Sequence, residues 1–145
     1  MNMSEATQST VWPLDKFQAV MSRCPFNKWL GLEARKVSEE GVEIFLPWRD
    51  ELLSSPEAQS MHGGILASLI DAAASYAVAS TVGRGIPTID LRIDYHKVAK
   101  PGDYLAKGRA IHRGKTLSFG EAQVFDRHGV LVASGRGVFF VAERS

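Results

Sequence analysis

Hydrophobic positions recur along this chain with two periods, and the places where one gives way to the other predict its elements. Leu14, Phe17, Val20 and Met21 recur at helical spacing over 14–24, and Pro25 interrupts them. Asn27 to Leu32 reads as a short apolar turn. The segments 32–37 and 42–48 read as two strands joined at Glu40-Gly41, with Val42, Ile44 and Leu46 on one face. A polar, irregular stretch follows from Arg49 to Met61.

The segment 64–82 carries the longest helical pattern, with Ile65, Leu69, Ala72, Tyr76 and Ala79 on one stripe. Gly83, Gly85 and Pro87 end it. It is apolar nearly all round, which marks a helix surrounded by other elements rather than one lying on the surface. Beyond it the period becomes two. Leu91, Ile93 and Tyr95 face one way; Asp90, Arg92, Asp94 and His96 face the other. After a turn at Pro101-Gly102-Asp103, strands are predicted over 104–112, 117–126 and 130–141. Arg113-Gly114-Lys115 and Arg127-His128-Gly129 make their hairpin connections.

Strands joined by short hairpins form an antiparallel sheet, and a long apolar helix needs a sheet to cover it. The order therefore predicts an α+β fold: one domain over 13–145 behind a loose tail, 1–12. No internal repeat or low-complexity segment is present.

Composition narrows the chemistry. A balance of 17 basic against 16 acidic residues gives no overall reason to expect nucleic acid or an anionic membrane. The charge is uneven, however. Seven basic residues (Arg92, Lys97, Lys100, Lys107, Arg109, Arg113, Lys115) face two acidic ones (Asp94, Asp103) over 92–115. That stretch reads either as solvated strand faces or as a patch for a phosphorylated ligand. A single cysteine, Cys24, precludes an intramolecular disulfide and fits a reducing compartment. With a polar start and no uninterrupted apolar run long enough to span a bilayer, a cytoplasmic protein is expected.

The chemically informative stretch is Met61-His62-Gly63-Gly64 with Asp71 nine residues after the histidine. A helix start presents unpaired N–H groups and a partial positive charge. Glycine there lets another molecule approach the backbone, so Gly63 and Gly64 read as donors to a developing oxyanion or simply as a flexible lead-in. Asp71 sits among Ala67, Ser68, Ala74 and Ser75, small residues that would leave a groove around its carboxylate. An acid on such an apolar helix is costly unless it is used or satisfied locally. Nine residues are two and a half turns, so Asp71 and His62 meet only through a bend or a second subunit. His62 either caps the helix or helps position the Gly63 amide. His96, His112 and His128 have no metal-ligand spacing, and no metal site is expected.

These residues resemble the hotdog-fold acyl-CoA thioesterases, the subgroup that includes phenylacetyl-CoA and 4-hydroxybenzoyl-CoA thioesterases. The resemblance covers about 27–141. It is carried by His62-Gly63-Gly64 with Asp71, by Thr88-Ile89-Asp90-Leu91-Arg92-Ile93-Asp94-Tyr95, and by Pro101-Gly102-Asp103. It implies a long helix wrapped by an antiparallel sheet that continues across a homodimer, with homotetramers common. It also implies active sites at the dimer interface, where Gly63 and Gly64 amides hold the thioester oxygen. Asp71 of the other subunit would act as general base or nucleophile, and Ser75 would assist it.

No separate cofactor is implied, because coenzyme A is part of the substrate. Lys97, Arg113 and Lys115 are the residues expected to meet its phosphates. Relatives often carry an Asn or Gln six residues before the histidine; here that position is Pro56, and Gln59 is the nearest amide. Trp48, Tyr76 and Phe119 are candidates to shape a pocket for an aryl or medium-chain acyl group. A hydratase or dehydratase on the same fold, or a non-catalytic acyl-CoA binder, are the competing expectations.

Overall fold

The computed structural model describes residues 11–143. Helix α1, Leu14–Arg23, buries Phe17 and Met21. Pro25 does more than stop it. It occupies the first turn of a second helix, α2, Pro25–Leu30, where a missing N–H costs nothing. The short turn expected over 27–32 is therefore mostly helix, closed by Gly31 in the left-handed region at φ 73°. The tail expected over 1–12 lies outside the described residues up to position 10. Its last residue, Trp12, is buried and its N–H donates to Ser80 O at 3.2 Å, so the packed chain begins earlier than position 13.

Strands β1, Glu33–Ser38, and β2, Gly41–Leu46, form the first hairpin. Val42, Ile44 and Leu46 are buried as the alternation predicts. β2 stops before Trp48, whose N–H donates instead to Asp103 Oδ1 at 2.7 Å. The loop that follows is ordered by a 3-10 turn, Asp50–Leu52, and by a bridge between Leu53 and Met61. Two backbone bonds then anchor the next helix: Met61 N–H to Ala99 O at 2.7 Å and His62 N–H to Leu52 O at 2.8 Å.

Helix α3, Gly63–Val82, is the 20-residue core element. Its buried positions run right round it and include Leu66, Leu69, Ile70, Ala73, Ala74, Ala77 and Val78. Its length and composition would suffice to cross a membrane, but here it is the helix on which the sheet packs. Contact is close because the facing strands carry glycine. A Cβ on Gly108 would lie 2.1 Å from Ala73 O, and one on Gly120 2.6 Å from Ala74 O.

Strands β3, Thr88–Tyr95; β4, Tyr104–Arg113; β5, Leu117–Asp126; and β6, Leu131–Phe140, complete a six-stranded antiparallel sheet in the order β1-β2-β4-β5-β6-β3. This is the hotdog architecture. Because β3 pairs with β6 alone, it is an edge strand, and its Ile89 and Tyr95 are more than half exposed. Leu91 and Ile93 still pack on the core. Tyr95 reaches over the start of α3, and its hydroxyl donates to Gly63 O at 2.8 Å.

Candidate active site

The start of α3 is built around an imidazole. His62 is the N-cap, and its Nδ1 accepts the Gly64 N–H at 2.8 Å. This satisfies one of the donors that every helix start leaves open. Glycine is needed for it, since a Cβ on Gly64 would sit 2.9 Å from that nitrogen. The Gly64 amide is thus engaged by its own chain, whereas the Gly63 N–H has no partner among the described residues.

Asp71 lies eight residues along the same helix, about 12 Å away at 1.5 Å per residue. It lines a cleft of about 250 Å³ between α3, the turn into α2 and the start of β3. Ser68, Ser75, Tyr76, Asn27, Cys24 and Thr88 share that cleft. The Thr88 hydroxyl donates to Asp71 Oδ1 at 2.8 Å; Asp71 Oδ2 accepts nothing from the described residues. The carboxylate is therefore held by one oxygen and open at the other.

Ser75 lines the cleft, but its hydroxyl is not bonded to the carboxylate. Its hydroxyl donates to Ala72 O at 3.2 Å, and Ser68 likewise donates to Gly64 O at 2.8 Å, the usual turn of a mid-helix hydroxyl back onto its own backbone. The hydroxyl expected one turn past the acid comes instead from β3. Periodicity could not show this, because Thr88 and Asp71 meet only after β3 folds back along α3.

Tyr76 closes the cleft beside α2. Asn27 Nδ2 donates to its oxygen at 3.0 Å, and Phe17 packs edge-on with centroids 5.4 Å apart. Burial above all pushes the Tyr76 hydroxyl above its usual pKa; Cys24 and the Asp71 charge add to this, and the Asn27 bond opposes it. The group stays protonated. Trp48 and Phe119 are elsewhere. The Trp48 indole donates to Asp50 Oδ1 at 3.2 Å, and Phe119 lies on the outer sheet face beside His112 and under Arg136.

His62, Gly63 and Gly64 do not line the Asp71 cleft, so a single chain presents the two halves of the expected site separately. Gln59 is exposed and makes no side-chain hydrogen bond to the described residues; Ser54 and Ser60 pair across its loop at 3.2 Å.

The three basic candidates also separate. Arg113 donates to Thr81 Oγ1 and, at 3.3 Å, to Glu39 O, beside the last turn of α3. Lys115 is in the adjoining turn. Lys97 is at the other end of the sheet, with its N–H on Val132 O at 3.2 Å. A strand of the length of β4 spans about 30 Å, so the three cannot meet the phosphates of one ligand within a single chain.

Comparison with known proteins adds a family to this geometry. The description "Thioesterase superfamily" matches residues 58–133, from Gln59's loop into β6. The chain is similar to acyl-coenzyme A thioesterase 13 of Mus musculus, 33% identical over 139 residues that cover 92% of this chain and 95% of the other. A medium/long-chain acyl-CoA thioesterase of Escherichia coli is 24% identical over 132 residues, 81% of this chain and 85% of the other. A crystal structure of a protein from the thioesterase superfamily superposes with a TM-score of 0.86 at 48% identity, covering 88% of this chain and 97% of that one.

Proposed function

The chain belongs to the thioesterase superfamily and is a thioester hydrolase, and from that premise we propose that it hydrolyses acyl-CoA thioesters at a site completed by two copies of the chain. Asp71 of one copy faces a thioester held at the α3 start of the other. The observation that carries this reading is the Asp71 carboxylate itself: placed in a cleft, fixed through Oδ1 by Thr88, and open at Oδ2. A carboxylate so held can take a proton from water as that water attacks the thioester carbon. Alternatively Oδ2 attacks the carbon, expels the thiolate and leaves an anhydride for water to open.

Either path puts negative charge on the carbonyl oxygen. The Gly63 N–H is aimed outward from a helix start and supplies one donor. The Gly64 N–H supplies the second when the imidazole of His62 turns away from it. The exposed β3 edge supports a homodimer with a continuous sheet, since an unpaired strand with apolar side chains is a template for pairing. A dimer is the smallest assembly that brings the two halves together.

The acyl group would lie along the Asp71 cleft toward Tyr76 and Phe26. A space of about 250 Å³ with an aromatic end suits an aryl or medium-chain group, as expected of phenylacetyl- and 4-hydroxybenzoyl-CoA thioesterases. A cytoplasmic setting fits Cys24, an unpaired thiol lining that cleft.

The test is thiol release from a panel of aryl, short-chain and long-chain acyl-CoAs by the wild type and by Asp71→Asn. A protein-only blank accounts for reaction of Cys24 with the thiol reagent. Turnover on at least one member and its loss in a variant of unchanged melting temperature are expected. Wild-type rates in Asp71→Asn would remove Asp71 from the mechanism.

A further inference from the structure

Tyr95 differs from its neighbours on β3. Leu91 and Ile93, on the same face, pack against the core, whereas Tyr95 at the end of the strand is 54% exposed. Burial does not account for an aromatic ring there. The side chain instead covers the first residue of α3. Its hydroxyl donates to Gly63 O at 2.8 Å, and the ring flanks Gly63 so closely that an added Cβ would lie 3.4 Å from Cε1, Cζ and the hydroxyl oxygen.

The carbonyl of Gly63 and the N–H of Gly64 belong to one planar peptide group. That group is held at both ends: Tyr95 grips its oxygen, and His62 Nδ1 accepts its N–H at 2.8 Å. A helical carbonyl has a lone pair beyond the one directed at its own next turn, so the tyrosine adds a bond without taking one from the helix. The added bond fixes the plane and draws electron density toward the oxygen, which makes the N–H at the other end a stronger donor.

The grip is itself anchored. Tyr95 pairs with Ala133 at the end of β3, and the next two N–H groups, of His96 and Lys97, donate to Val132 O at 2.9 and 3.2 Å. Ala99 O then accepts the Met61 N–H at 2.7 Å, one residue before the His62 cap. The end of β3 and the start of α3 are thus tied together twice. The other end of β3 carries Thr88, which holds Asp71. One edge strand fixes the acid through its first residue and the Gly63–Gly64 peptide through its last. Two such strands paired antiparallel would bring the first end of one to the last end of the other.

We propose that Tyr95 is a positioning residue for thioester hydrolysis: through the Gly63 carbonyl it holds and polarises the Gly64 N–H that meets the developing oxyanion. The inference rests on the hydrolase reading above and deepens it. When the imidazole of His62 gives up that N–H to the substrate oxygen, the peptide loses one of its two restraints, and the tyrosine keeps it aimed.

Tyr95→Phe keeps the ring and removes the donor; Tyr95→Leu removes both. In Tyr95→Phe, kcat on an acyl-CoA that the wild type hydrolyses falls by roughly 5- to 10-fold, with KM within about twofold and an unchanged melting temperature. A role limited to packing predicts another pattern: wild-type kinetics in Tyr95→Phe and a lowered melting temperature in Tyr95→Leu alone. Nuclear magnetic resonance of the free protein supplies a readout that needs no turnover, because an amide nitrogen responds to the hydrogen bond on the carbonyl of its own peptide group. The Gly64 resonance moves in Tyr95→Phe, and that of Ala77, buried farther along α3, does not. Wild-type kcat in Tyr95→Phe, an altered KM at unchanged kcat, or a Gly64 resonance that stays in place would overturn the assignment. A wild type inactive on every thioester is a different result: it would sink the hydrolase reading, and this role with it, whatever the resonance shows.

Discussion

Asp71 and Thr88 are a matched pair: the hydroxyl fixes one carboxylate oxygen and leaves the other open, where we propose that it meets the attacking water or the thioester. A hydrogen bond to a charged group is worth about 1.5–3 kcal/mol. Thr88→Val, which keeps the shape and removes the donor, should therefore lower kcat by roughly 10- to 100-fold with little change in KM or melting temperature. Steady-state kinetics beside a thermal melt checks it, and an unaltered kcat would reduce Thr88 to a packing residue. Gly64 is constrained from the other side. Because its added Cβ would press on the imidazole of His62 at 2.9 Å, Gly64→Ala displaces the cap. Loss of an N-cap costs about 1 kcal/mol, which calorimetry would register. Ser75, by contrast, bonds its own helix, and Ser75→Ala should change kcat by less than about twofold.

At the scale of elements, the helix lies on the sheet because the strands beneath it are trimmed to glycine and alanine. The Ala73 carbonyl occupies the space that a side chain on Gly108 would need, and backbone cannot move aside as a side chain can. Gly108→Ala should cost at least ~3 kcal/mol and lower the melting temperature by roughly 6–12 °C. A melt within a degree of wild type would show that α3 shifts freely. The β5–β6 turn carries a pH signature. Backbone N–H donors from Val130 and His128, with the His128 and Lys97 charges, hold the Asp126 carboxyl below its ordinary pKa. Its contribution is present above the unfolded value of about 3.9 and is lost as pH falls through the lower folded value. Asp126→Asn should flatten the acid limb of stability, as read by circular dichroism against pH; an unchanged limb would mean that the turn holds without the charge.

At the scale of the molecule, the change of hydrophobic period after Val82 was enough to place the central helix and the antiparallel sheet, because burial writes itself into periodicity. What periodicity could not show were contacts between segments distant in sequence. Thr88 and Asp71 stand 17 residues apart yet bond directly. Lys97 and Arg113 share one basic stretch yet sit at opposite ends of β4. Pro25, which stops one helix, starts another. His62 and Asp71 were legible as candidates, but their separation on one straight helix is also a statement about assembly.

That statement can be tested with two inactive chains. Gly63→Pro removes the outward N–H: proline is suited to the first position of a helix, His62 before it has the extended backbone that proline requires, and the added Cβ would meet the Tyr95 ring at 3.4 Å. Asp71→Asn removes the acid. If each site takes its amides from one chain and its acid from the other, subunit exchange between the two variants creates dimers with one site carrying both lesions and one carrying neither. Random exchange makes half the dimers mixed, each with one intact site, so activity should recover to about a quarter of wild type from nearly none. If both groups act within one chain, every site in the mixture keeps a lesion, and no recovery follows however completely the subunits exchange.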